Sequence, residues 1–165
     1  MSGAPGRRLG RAEPAPPDTA PPDTAPTAPP PKPHRPGAPM TRPAVLVTGS
    51  AVRIGRGLVL ALARDGHDVA IHYNQSADAA DETAEACRKW GVLAHTFAHD
   101  LADARGLAGL VEQVRAELPH LGCLVNCASV YEEASITDAT VETFDRQAAV
   151  NLRAPFFLTQ AFAKQ

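Results

Sequence analysis

From residue 43 onward the sequence predicts an α/β fold with a doubly wound parallel sheet. Two observations predict it. Short apolar runs alternate with segments of helical periodicity, and strands separated by helices pair in parallel. The first run, Val45-Leu46-Val47, passes through Thr48-Gly49 into a helical pattern opened by Ile54-Gly55. Strand, glycine turn and helix in that order are how such a sheet begins.

The elements follow in turn. Ala44–Thr48 reads as the first strand. A helix runs from Ile54 to Arg64, with Ile54, Leu58, Val59 and Leu62 near helical spacing and Gly66 as its stop. Asp68–Tyr73 is the second strand. Ala77 to Trp90 is a helix with acids early (Asp78, Asp81, Glu82) and bases late (Arg88, Lys89), an order that suits the helix dipole, and Gly91 ends it. Val92–Phe97 is the third strand. Asp103 is the expected cap of the next helix, whose apolar stripe is Leu107, Leu110, Val111, Val114 and Leu118. Gly122–Asn126 is the fourth strand. Thr140 caps a long helix towards Gln165, which Pro155 should bend.

Residues 1–42 differ in kind. They are rich in proline and alanine, echo Pro-Pro-Asp-Thr-Ala at 16–20 and 21–25, and hold almost no large apolar side chains. Such a segment cannot bury enough surface to offset its ordering entropy, so a disordered tail of polyproline character is expected, with Met40 a possible alternative start. The 165 residues therefore suggest one domain, 43–165, behind a tail. A net charge of −2 gives no electrostatic footprint for nucleic acid. No run approaches the roughly 20 apolar residues of a membrane helix, and no secretory signal opens the chain, so a cytoplasmic location is the expectation. The three cysteines, Cys87, Cys123 and Cys127, show no zinc spacing, and no metal site is expected. Cys123 and Cys127 read as one strand, about 13 Å apart and too far for a disulfide, so reduced, buried thiols are expected.

The chemistry starts at the glycine turn. Gly49 allows a sharp turn and Gly55 a close approach of the helix start, whose unpaired N–H groups and partial positive charge receive a pyrophosphate. Residues 48–55, T-G-x-x-x-R-I-G, resemble the short-chain dehydrogenase/reductase motif T-G-x-x-x-G-x-G, with Arg53 in place of the middle glycine. Three further landmarks carry the resemblance: Asp100-Leu101, Asn126-Cys127-Ala128-Ser129 and Asn151-Leu152. Arg53 points to the pteridine reductase branch. The resemblance implies a Rossmann-type sheet of strand order 3-2-1-4, a dinucleotide held by Gly49, Ser50, Arg53, Ile54, Gly55, Asp100, Leu101, Asn126 and Ala128, and a homo-tetramer or dimer as the complete enzyme. It also implies later strands that do not follow, so the chain reads as an N-terminal part.

An NAD enzyme usually ends its second strand with an acid that binds the ribose 2′-OH. That place falls near Tyr73, Asn74 and Gln75, none acidic. A 2′-phosphate would instead meet Arg53 and the hydroxyl of Ser76, with His72 assisting if protonated. NADPH is therefore the expected cofactor. By the same resemblance Ser129 bonds a pterin and Tyr131 stacks on it, as a flat heterocycle would favour. Cys127 replaces an asparagine of the family motif and cannot reproduce its amide bonds. Family catalysis needs Tyr-x-x-x-Lys, in which the lysine lowers the pKa of a tyrosine acid. Only Tyr73 and Tyr131 exist, followed four residues on by Ala77 and Ser135. Of the family's catalytic group Asn151 alone is present. The sequence therefore suggests an NADPH-dependent reductase acting on a C=N or C=O bond of a small molecule, inactive in this chain alone. A non-catalytic dinucleotide sensor and a nonfunctional fragment are the competing readings.

Overall fold

The computed structural model describes residues 42–164. The expectation of a disordered tail, and of a start at Met40, lies outside the described residues. The chain runs β1 (Ala44–Val47), α1 (Arg53–Arg64), β2 (Val69–Tyr73), α2 (Ala77–Arg88), β3 (Ala94–Ala98), α3 (Leu107–Glu117), β4 (Leu121–Val125), α4 (Val141–Ala148) and, after one π turn at Ala149–Arg153, α5 (Ala154–Ala163). The four strands are parallel in the order β3-β2-β1-β4, which is the order the resemblance implied.

Strand β1 is central, and all four of its residues are buried. Successive side chains point to opposite faces. Ala44 and Leu46 join a core with Leu107, Leu110, Val111, Val114 and Leu158 beneath α3 and α5. Val45 and Val47 join Val59, Ala63, Ile71, Ala84 and Cys87 beneath α1 and α2. A sheet covered on both faces needs an unbroken apolar run, which is why β1 shows no alternation in the sequence. Truncating the fully buried Leu46 to alanine would cost about 2–5 kcal/mol.

Four local expectations are corrected. Thr48 belongs to the turn, one residue past the end of β1, and its hydroxyl leans onto the carbonyl of Val125. Asp103 does not cap α3; the N-cap is Gly106, and the Asp103 carboxylate accepts the Arg105 N–H in a local turn instead. Cys127 lies beyond the end of β4, not on it, and Cys123 and Cys127 are only half-buried. Pro155 acts by widening the helix. It has no N–H for the carbonyl of Asn151, and the Ala154 N–H reaches back to Ala149, five residues away. The Thr140 cap holds: its hydroxyl accepts the Thr143 N–H at 3.2 Å, and Thr143 returns the bond to the Thr140 N–H at 3.1 Å.

Candidate functional site

In a parallel sheet all strands end on one side, and the loops leaving those ends enclose a cavity of about 620 Å³. Its walls are the glycine turn, the ends of β2 and β3, the loop after β4 and the side of α4.

The glycine turn has no room for side chains. Gly49 has φ +65°, and a Cβ on it would stand 2.8 Å from the Ala128 Cα. A Cβ on Gly55 would run into the carbonyl of Gly49 and stand 2.7 Å from the Ser50 Cα. These two positions bring the start of α1 onto the turn. The N-cap, Val52, makes no side-chain bond to the helix, so the first N–H groups of α1 are left for a ligand. Arg53 is the first residue of α1, exposed and at the cavity, with φ +54°, a left-handed conformation that glycine adopts without cost. Ile54 lies beside it, 76% exposed.

Two polar residues tie the turn to its neighbours. The Thr48 hydroxyl accepts the N–H groups of Cys127 (3.0 Å) and Ala128 (3.1 Å), fixing the loop after β4. His72 does the corresponding work on the other side. Its Nδ1 accepts the Gly49 N–H at 3.0 Å, and its Nε2 faces the His99 carbonyl at 3.0 Å. Burial pushes its pKa down to about 4. This corrects the expectation that a protonated His72 helps hold a 2′-phosphate: the ring is neutral near pH 7, and both nitrogens are engaged.

Ser50 is also corrected in detail. Its side chain is buried and donates to the Val47 carbonyl at 2.7 Å, and its N–H donates to the His72 carbonyl at 2.9 Å, so neither donor is free for a ligand. Ser76 is the N-cap of α2, with its hydroxyl unbonded to the helix; Asn74, not Ser76, lines the cavity. Asp100 and Leu101 line the far wall, the Asp100 carboxylate accepting the Ala102 N–H at 2.9 Å. Ala128, Ser129 and Tyr131 line the opposite wall, and Tyr131 is 81% exposed. Asn126 turns away and donates to the Thr159 hydroxyl at 3.3 Å. Asn151 sits in the π turn on the outer side of the loop. Its Oδ1 accepts the Val130 N–H at 2.9 Å and its Nδ2 donates to the Val130 carbonyl at 2.8 Å, clamping the peptide between Ser129 and Tyr131.

The sequence did not single out Arg146, which lines the cavity mouth and pairs with Glu132 at 3.0 Å, nor Val150 behind it. Neither lies in a recognisable motif. The bridging role of Thr48 had a signal, a hydroxyl at the end of the central strand.

Known proteins resemble the chain over most of its length. The chain is 32% identical to the sepiapterin reductase of Chlorobaculum tepidum over 123 residues, covering 71% of the chain and 50% of that protein. It is 34% identical to the short-chain dehydrogenase/reductase FrzI of Cladobotryum sp, covering 72% and 46%. Among solved structures it superposes with TM-score 0.70 on the FolM alternative dihydrofolate reductase 1 of Brucella suis in complex with NADP, at 36% identity, covering 76% of the chain and 52% of that structure. A short-chain dehydrogenase of Burkholderia cenocepacia in complex with NADP gives TM-score 0.73 at 33% identity, covering 74% and 50%. The chain thus spans about half the length of these relatives. The short chain dehydrogenase family model matches residues 43–165, from the residue before β1 to the end of the sequence, and the chain belongs to the short-chain dehydrogenase family.

Proposed function

We propose that the chain binds NADPH and serves a reductase that delivers hydride to a C=N or C=O bond of a pteridine-like substrate. The observation that carries the reading is Arg53 at the cavity beside a strand, β2, whose end offers Tyr73 and Asn74 and no acid. NADPH supplies the hydride when bound. Residues of this chain fit it. Gly49 and Gly55 leave space for a pyrophosphate against the uncapped start of α1, Arg53 offers a cation to a 2′-phosphate, and Asp100-Leu101 form the wall for an adenine. Ser129 and Tyr131 border the remaining space, where a hydroxyl and an exposed ring suit a flat heterocycle. The names of two relatives, a sepiapterin reductase and an alternative dihydrofolate reductase, support that substrate class.

A second reading has one observation behind it. Neither of the two tyrosines is followed four residues on by a lysine, so residues 43–165 hold cofactor without the family's proton donor. Alone, the chain is then a dinucleotide-binding protein. Among the described residues no helix is long and apolar enough to cross a membrane, and a cytoplasmic oligomer is the setting proposed for the whole protein.

One set of assays separates these readings. Binding of NADPH and NADH is measured by fluorescence, and NADPH oxidation is followed with dihydropterin, dihydrofolate, a β-ketoacyl thioester and a ketose. Tighter NADPH binding supports the cofactor reading, and binding without turnover supports the second reading. In a whole enzyme, Tyr131→Ala should weaken pterin use by several-fold to about tenfold with NADPH affinity unchanged, and Tyr131→Phe should be nearly neutral. Turnover of thioester or ketose with none of pterins would overturn the substrate class.

A further inference from the structure

His72 is a buried titratable side chain, 2% exposed, that the proposed chemistry does not use. Its position is nevertheless specific. A backbone N–H can only donate, so the Gly49 N–H requires Nδ1 to be the unprotonated acceptor. The proton then sits on Nε2 and is donated to the His99 carbonyl, which can only accept. Geometry alone fixes the tautomer. The His72 backbone adds a third link, its carbonyl accepting the Ser50 N–H at 2.9 Å. One residue therefore holds two consecutive N–H groups of the glycine turn. On the far side, His99 passes the linkage on. Its Nε2 lies 3.1 Å from the Asp103 carbonyl, and its ring packs on Gly106, where any Cβ would strike it. The Asp100-Leu101 wall lies between these two anchor points.

We infer that His72 is a positioning residue for the dinucleotide: its neutral ring sets the spacing between the glycine turn and the Asp100-Leu101 wall. The inference rests on the NADPH reading above. A dinucleotide spans both walls, so its affinity depends on their separation as well as on the groups each presents. His72 acts through backbone groups of Gly49 and His99 and spends neither nitrogen on the ligand.

The test uses the full chain and needs first no variant. Nitrogen NMR of histidine-labelled protein should show a His72 ring with Nδ1 unprotonated and Nε2 protonated at pH 7. The opposite tautomer, or exchange between the two, would overturn the inference whether or not NADPH binds. Then two variants are compared. In His72→Asn the side-chain oxygen can still accept the Gly49 N–H but the shorter side chain no longer reaches the His99 carbonyl, so NADPH should bind more weakly than to wild type and less weakly than to His72→Leu. In His72→Leu the N–H is left unsatisfied and NADPH should bind about tenfold more weakly. Asp68→Ala serves as the control for stability alone. Its carboxylate accepts the Leu93 N–H at 2.6 Å and contacts His120 at 2.9 Å, at the opposite ends of the strands. It should lower the melting temperature and leave NADPH affinity unchanged. If Asp68→Ala and His72→Leu lose affinity in proportion to stability, or if His72→Leu binds like wild type, the positioning role is wrong. If wild type shows the stated tautomer but prefers NADH or binds neither cofactor, the NADPH reading fails and the linkage itself stands.

Discussion

Arg53 is asked to do two opposed things, and substitution can separate them. Its backbone sits at φ +54°, where an L-residue is strained by about 1–2 kcal/mol relative to glycine. Glycine returns about 0.5–1 kcal/mol of that through the greater freedom of the unfolded chain, so Arg53→Gly should stabilise the fold by roughly 0.5–1 kcal/mol. Arg53→Ala keeps the strain and loses only the guanidinium. Exposed at the helix start, that group contributes little to folding and faces the positive end of the α1 dipole. For NADPH the two variants should behave alike. A charge-assisted contact to phosphate is worth about 1.5–3 kcal/mol, so both should lose about ten- to a hundredfold in NADPH affinity and little for NADH. The assay is a thermal melt of each protein without ligand, followed by titration with both cofactors. The expected pattern is a melting temperature a few degrees higher for Gly than for Ala, with equal loss of NADPH preference. A glycine variant that melts at or below the alanine variant would refute the strain argument. Retained NADPH preference in both would refute the phosphate contact.

Three further outcomes are expected. Because His72 titrates near pH 4 when folded and near 6.5 when unfolded, the unfolded chain binds more protons between those values; stability should be full above pH 6.5 and fall on acidification towards pH 4, by on the order of 3 kcal/mol, a slope that urea titrations should find missing in His72→Leu. Burial raises the Cys87 thiol to about 11, so iodoacetamide near pH 8 should spare it, while Cys127, which lines the cavity, should react and be protected by NADPH, as peptide mass mapping can show. β4 is an edge of the described sheet, with Cys123, Leu124 and Val125 only half-buried, so the isolated chain should associate, and a light-scattering mass of a stable monomer at micromolar concentration would count against this.

The sheet was legible in the sequence because its signals are collective. Val45-Leu46-Val47, the stripe from Leu107 to Leu118 and the glycines after α1 and α2 each involve several residues bound to one period or one turn. Boundaries set by single side chains were less legible. Asp103 has the chemistry of a cap, but its carboxylate had a nearer donor in Arg105, and the helix begins at Leu107 with Gly106 as its N-cap. Pro155 announces a break without saying which kind, because the carbonyl it orphans can be accommodated by a bend or by a π turn. Within the cavity the backbone-shaped positions, Gly49, Gly55 and Ala128, were readable from a motif whose spacing is steric. Arg146 comes to the mouth only through the packing of α4, and a pairing with Glu132 leaves no pattern in the chain.

The polar residues that were misplaced share one physical cause. A sharp turn at the end of a buried central strand exposes several main-chain N–H and C=O groups where no further ladder can satisfy them. The flanking strands β2 and β4 end beside it. Any polar side chain at those ends is therefore within reach of the turn before a ligand arrives. Ser50 donates to Val47, Thr48 takes two N–H groups from the β4 loop, and His72 takes one from Gly49. Read as donors and cations along a sequence, Ser50 and His72 look like groups waiting for phosphate. In the fold they are committed to the main chain, and the cavity is left with Arg53 and Arg146, an uncapped helix start, and walls that present Asn74, Asp100, Ser129 and Tyr131. The division predicts different signatures on replacement. Loss of Arg53 should change which cofactor binds, and loss of His72 should weaken NADPH and NADH by the same factor, because the ring sets the spacing of the walls and never meets the 2′-phosphate. A His72→Leu protein that lost NADPH affinity while keeping NADH affinity would place the ring at the phosphate after all.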